Sequence, residues 1–261
     1  MYTSVIKLLK LYLIYFLFSG CNSSSLISLQ NISGTWITEG NETIRINPNK
    51  GSIDYKGLIS NVTSYKNLDA FISNDTLRFA ETLTSSQTNY ENSETFFYDF
   101  KILEFDEPKL ILKPSSLLAQ KFFNEKEILG FTRQEFAVDA NIRFEKLVFH
   151  ASACYGECPP FKLEIDSNKH IKLFREKFFT PNPEIQRDSL FYGYFEGALD
   201  DNLYDELIFQ IKTCNLERLE LNTRTCCDGP LQTLIVYFNG KRKYLKSMFP
   251  PAIADKLILH L

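Results

Sequence analysis

The residues best suited to chemistry are concentrated in Cys154-Tyr155-Gly156-Glu157-Cys158-Pro159-Pro160-Phe161. As reactive thiols, two such cysteines exchange electrons with a dithiol partner. That chemistry favours Cys-x-x-Cys beside a βαβ unit, whereas this spacing is one residue longer and lacks that surrounding pattern. With His150 they make three soft ligands at four-residue steps, a set suited to zinc or copper(I). Joined to each other, they fix the shape of the turn at Gly156. His150 lies among Val148, Phe149 and Ala151 on an expected strand, where a hydrogen-bonded, half-buried histidine is the commoner outcome. A structural disulfide between Cys154 and Cys158 is therefore expected. A thiol-redox or metal-binding centre at His150, Cys154 and Cys158 is the alternative.

Other chemistries lack their residues. There is no Gly-x-Ser-x-Gly, no His-Glu-x-x-His and no glycine loop to cradle phosphate. The carboxylate pairs Asp200-Asp201 and Asp106-Glu107 fall at a helix start and in a Pro-bearing turn, where capping and solvation account for them. His170 and His260 have no ligand-like neighbours in sequence. The expectation is no catalytic residue, no enzyme activity and no cofactor. The chain has 261 residues with 29 Lys+Arg against 32 Asp+Glu, a formal charge of -3, which offers no basic surface for nucleic acid. Its 44% hydrophobic and 14% aromatic content excludes a disordered or coiled-coil chain and fits two modest domains.

Residues 1–20 differ in kind from the rest. Lys7 and Lys10 precede an apolar stretch from Leu11 to Phe18, well short of the roughly 20 residues that span a bilayer, so they read as a signal peptide. Phe18-Ser19-Gly20-Cys21 resembles the lipobox of bacterial lipoproteins, with Phe18 where leucine is usual. The resemblance implies cleavage before Cys21, a covalent diacylglycerol and N-acyl lipid on that cysteine, and a stable membrane anchor. Residues 21–30 become the lipidated cysteine and its tether. Asn22 follows the cysteine without an acidic residue, which by that analogy implies an outer-membrane site facing the periplasm. In that oxidising compartment the other five cysteines allow at most two disulfides. Adjacent Cys226 and Cys227 pair with each other only under strain, so Cys214 is expected to bond one of them.

These residues need elements to position them. From 31 to 137 short strands alternate with turn residues and almost no helix is expected. Thr43 to Ile46, Ser52 to Leu58, Ala70 to Ile72, Thr76 to Phe79, Phe96 to Glu104, Leu110 to Lys113 and Leu129 to Arg133 read as strands of a closed barrel or sandwich. Asn41-Glu42-Thr43, Asn61-Val62-Thr63 and Asn74-Asp75-Thr76 read as turn chemistry. Gly34-Thr35-Trp36, with the later Phe131-Thr132-Arg133, resembles the opening and closing strands of lipocalin-like domains. The resemblance implies an up-and-down β-barrel with Trp36 on its floor and Arg133 packed over it. Such a barrel either holds a small apolar ligand or fills with its own side chains.

From 138 to 261 the pattern mixes strand and helix. Phe161, Leu163 and Ile165 alternate with charged residues and turn at Asp166-Ser167-Asn168-Lys169. Leu203, Leu207 and Ile211 mark a helix, and Asn239-Gly240 a second hairpin. Pro250-Pro251 opens a last helix with Ile253, Leu257 and Leu261 on one stripe. The expected order is hairpin, helix, hairpin, helix, an α+β layer. Lys241-Arg242-Lys243 reads as charge that blunts an exposed strand. The Cys-aromatic-Gly-x-Cys-Pro run, followed by a central helix and Asp228-Gly229-Pro230, resembles a bacterial family of uncharacterised lipoprotein domains. That family implies architecture and no mechanism. Taken together, these features and resemblances lead us to expect a membrane-anchored envelope lipoprotein that binds a small apolar ligand in the barrel or an envelope protein through its second domain.

Overall fold

In the computed structural model the described residues are 27–48, 54–61, 63–86, 90–154, 158–176, 192–220 and 229–261. The leader with Cys21, the turn residues Tyr155 to Glu157, Cys226, Cys227 and Asp228 lie outside them. Among the described residues no helix is long and apolar enough to cross a membrane.

The first half is a closed, antiparallel eight-stranded barrel in chain order. Its strands are β1 (Gly34–Ile37), β2 (Thr43–Pro48), β3 (Tyr55–Ser60), β4 (Tyr65–Ser73), β5 (Thr76–Thr84), β6 (Ser93–Asp106), β7 (Lys109–Pro114) and β8 (Leu129–Arg133). Each strand pairs with the next, and β8 closes on β1 through Trp36 opposite Arg133 and Ile37 opposite Thr132. The two-residue alternation that marked these strands sets the inside. Ile44 and Ile46, Leu77 and Phe79, and Leu110 and Leu112 are all fully buried. Asn41 and Asn74 supply the left-handed turn conformations between strands. Asn61 accepts from the backbone N–H groups of Thr63 and Ser64 at 2.9 and 2.8 Å.

Both barrel ends are closed. At the end where β1 begins, Ile32 is buried and its carbonyl accepts from Trp36 Nε1 at 2.8 Å. The Arg133 guanidinium lies 4.8 Å from the indole centroid. The opposite end is closed by α1 (Leu117–Phe122), started by Ser116, whose side chain accepts from Ala119 N. The sequence reading left this stretch without a helix, because six residues are too short to show helical periodicity. Behind α1, Phe123 packs edge-on against Phe100 at 5.6 Å and Phe122 against Tyr98 at 6.0 Å.

The second half is a six-stranded antiparallel sheet ordered β12-β11-β10-β9-β13-β14. The strands are β9 (Phe144–Ala151), β10 (Phe161–Asp166), β11 (His170–Arg175), β12 (Gly193–Ala198), β13 (Gln232–Phe238) and β14 (Lys241–Ser247). Its helices are α2 (Asp201–Thr213) and α3 (Asp255–His260), the latter preceded by a 3-10 turn over Ala252–Ala254. The expected hairpin, helix, hairpin, helix order is incomplete. β9 sits between the two hairpins and β12 is added at one edge, so the molecule is mainly β with few helices. One sheet face packs Leu147, Phe149, Leu163, Leu234 and Val236 against Leu207 and Ile211 of α2 and Leu257 of α3. The two halves share contacts: Ile37 of β1 belongs to this second core.

Candidate functional site

Ala151 ends β9 opposite Phe161, which begins β10, and the cysteines lie on the connection between them. Cys154 and Cys158 form a disulfide with Cα atoms 5.4 Å apart. The connection is stitched to the start of β13: Ser152 N donates to Leu231 O at 3.0 Å and Leu231 N donates to Ser152 Oγ at 2.9 Å. With both sulfurs joined, neither is a thiolate ligand. His150 stands half-buried on β9 between Lys162 and Thr233 of the neighbouring strands. Among the described residues no group of three His, Cys, Asp or Glu side chains converges on one point.

Cys214 corrects the expected pairing with Cys226 or Cys227. It caps the C-terminus of α2, is 1% exposed, and its thiol donates to Ile211 O at 3.2 Å, a free cysteine within the second core. Burial pushes the thiol up to about 12, against the smaller opposing effect of a backbone hydrogen bond. The residue that read as a crosslink position from its place after a helix is a packed apolar one.

The other face of the sheet carries no helix among the described residues. Register aligns Tyr244, Ile235, Val148, Glu164, Lys172 and Glu196 in one row across all six strands. Tyr244 is exposed, while Ile235 and Val148 are half-buried. Glu164 receives Lys146 Nζ at 2.5 Å and Lys162 Nζ at 2.6 Å. These two lysine hydrogen bonds outweigh its burial and hold the carboxyl at about 2. The face therefore combines aliphatic surface on β13 and β9 and an exposed tyrosine on the edge strand β14 with a carboxylate that keeps its charge at neutral pH, a mixture found in protein-recognition surfaces.

Among the described residues one cavity lies on the barrel itself, lined by Lys109, Lys126, Leu129 and Phe131, and others lie at the junction between the halves. One, of about 250 Å³, lies between Asn41 and Asn61 of the barrel and Arg218, Pro251 and Ile253 of the second half. Its walls are tied together. Arg218 donates to Glu39 O at 3.0 Å, Asn41 Nδ2 donates to Arg218 O at 2.8 Å, and Asn215 Nδ2 donates to Asn41 Oδ1 at 2.5 Å. Beside it Glu42 is buried. Burial raises its carboxyl, but hydrogen bonds from Lys126 and Thr38 prevail and hold it below the usual range. Sequence reading gave Asn41 a turn role, which it has, and missed its second role across the junction. No local pattern marks a contact between residues so far apart in sequence.

No curated protein and no solved structure matches the chain. Residues 145–256, from the second residue of β9 to the start of α3, match the family model described as a domain of unknown function, DUF6438.

Proposed function

We propose that the protein is a lipid-anchored envelope lipoprotein, held to the membrane through Cys21, whose second domain binds another envelope protein on its open sheet face. It acts as a binding module, without catalysis and without a cofactor beyond the lipid on Cys21. Of the two expected modes, cargo in a lipocalin-like barrel or recognition of a protein partner, one observation favours the second: the barrel is filled. Trp36, Phe79, Phe100, Phe123 and Phe131 are buried within it, and one end is covered by the Ile32 turn, the other by α1. A Cβ placed on Gly57 would lie 2.4 Å from the Phe79 ring, which reaches across Ala70 of β4 and covers β3 closely on the inner wall. The open face supports the reading with the row through Tyr244, Ile235 and Val148.

Native mass spectrometry of the full chain, extracted from membranes in mild detergent, tests this. The expected spectrum shows the lipidated chain with one internal disulfide and no non-covalent excess. A photo-crosslinker at Tyr244 should then capture one envelope protein, while the same group at Tyr90 on the barrel captures none. A bound apolar molecule lost on denaturation would overturn the choice of partner over cargo. For the anchor, Cys21→Ala should leave an unlipidated chain that washes from the membrane, and retention of that variant would refute lipidation.

A further inference from the structure

The two edges of the six-stranded sheet differ in kind. β14 carries Lys241, Arg242, Lys243 and Lys246 among seven residues, a charge density that opposes pairing with another strand. β12 reads Gly193-Tyr194-Phe195-Glu196-Gly197-Ala198. It has neither lysine nor proline to turn an incoming strand away, and its single charge, Glu196, faces Lys172 at 3.5 Å. Tyr194 is 82% exposed although stacked on Phe174 at 4.3 Å, and Phe195 is 41% exposed.

Among the described residues the main chain of this edge is also unmatched. Leu199 N donates to Lys169 O at 2.9 Å, and the β11–β12 register runs unbroken from there. Antiparallel pairs alternate, so residues 193, 195 and 197 bond to β11 and the N–H and C=O groups of Tyr194, Glu196 and Ala198 point away from the sheet. Among the described residues no strand takes them.

We infer that β12 pairs antiparallel with β12 of a second copy of this chain about a twofold axis through Phe195, joining the two sheets into one. Registers that keep each side chain on its own face and match the outward main-chain groups are those centred on Tyr194, Phe195, Glu196 or Gly197, the last pairing only residues 196–198 of the strand. Centring on Glu196 sets two carboxylates directly opposite each other, which is unfavourable. Centring on Tyr194 places Phe195 opposite glycine and leaves its flank bare. Centring on Phe195 sets the two Phe195 rings side by side on the helix-bearing face. It also sets Tyr194 opposite Glu196 of the second copy, phenol to carboxylate, and Gly193 opposite Gly197, where nothing obstructs approach. This interface is isologous, so it closes at two copies. It is independent of the partner-binding reading, which needs no second copy.

The test uses the full chain, expressed with its own leader. At a non-hydrogen-bonded site on a twofold axis the two Cα atoms lie about 4.5 Å apart, within disulfide range. Mild oxidation should therefore convert Phe195→Cys to a covalent dimer of twice the monomer mass. Ala198→Cys, whose counterpart lies far along the paired strands, should stay monomeric. Adding Glu196→Pro to Phe195→Cys removes one outward N–H while leaving the bonds to β11 in place, and it should abolish the crosslink. A monomeric Phe195→Cys variant would overturn the inference, as would equal crosslinking of Ala198→Cys or a crosslink that survives Glu196→Pro. Resistance of the buried Cys214 thiol to alkylation, read in the same spectra, reports that each variant is folded. A monomer would leave the partner-binding proposal standing.

Discussion

At Cys214 the decisive quantity is desolvation. The thiol is sealed between α2 and the sheet, so the folded chain holds its proton far above the ordinary value of 9.0, up to about 12. Native protein should therefore resist a thiol-alkylating reagent at neutral pH, and denatured protein should react at this position. Rapid native labelling followed by peptide mapping to Cys214 would refute the burial. Because the folded pKa is raised, the stabilising effect of the neutral thiol is complete below about pH 9 and is lost as pH rises towards 12. The stability difference between the parent chain and Cys214→Ala should accordingly shrink across that window in urea titrations, with no change between pH 6 and 8. Glu164 is the opposite case at the surface: two lysines, not burial, set its value, and its charge persists down to about pH 2. The Trp36 and Arg133 contact was legible because Gly34-Thr35-Trp36 in the first strand and Phe131-Thr132-Arg133 in the last resemble a known pair of barrel strands. The state of Cys214 was not, since cysteine spacing alone does not distinguish a crosslink from a core side chain.

At the scale of elements, what the sequence made legible follows from how each strand is solvated. β2, β5 and β7 have one wet and one dry face, and their alternation is visible in Ile44 and Ile46, Leu77 and Phe79, and Leu110 and Leu112. The Asn239-Gly240 hairpin was readable from its turn chemistry, and both residues adopt positive φ. β12 escaped notice because an edge strand with two glycines has no buried stripe to display. α1 escaped because its only signal is the Ser116 cap. Yet α1 brings Phe122 and Phe123 over the barrel end, and this gives a sharp expectation. Phe123→Ala should cost about 3–5 kcal/mol of stability, the usual loss for a fully buried ring. Gly57→Val should also destabilise, by about 1–3 kcal/mol, because its side chain meets Phe79 in a filled interior. Chemical denaturation measures both. A Gly57→Val chain as stable as the parent would mean that the interior has free volume, and the case for a filled barrel would fail with it.

For the whole molecule the question is whether barrel and sheet act as two bodies or one. Ile37, the last residue of β1, points out of the barrel into the second core, while its neighbour Trp36 points in. Consecutive residues of one strand thus belong to two cores, a direct consequence of the two-residue period. Polar contacts reinforce this. Gln134, 1% exposed, donates through Nε2 to Ile253 O at 2.8 Å and to Thr213 O at 3.3 Å, and Arg45 reaches Asp255 at 2.7 Å. Burial dominates at Asp255 and raises its carboxyl despite that arginine, so the ion pair contributes less to the junction than its distance suggests. Gln134 is the stronger link, because removing its amide strands two carbonyls in a dry interface. Gln134→Leu should cost about 1–3 kcal/mol and split the single unfolding transition expected of the parent chain into two. The first would be reported by near-ultraviolet signals of the second half's tyrosines, the second by fluorescence of Trp36 in the barrel. If the parent chain already unfolds in two steps, the halves are not coupled. In that case the open face and the β12 edge would move independently of the barrel, and of the anchor proposed at Cys21, instead of being presented at a fixed angle.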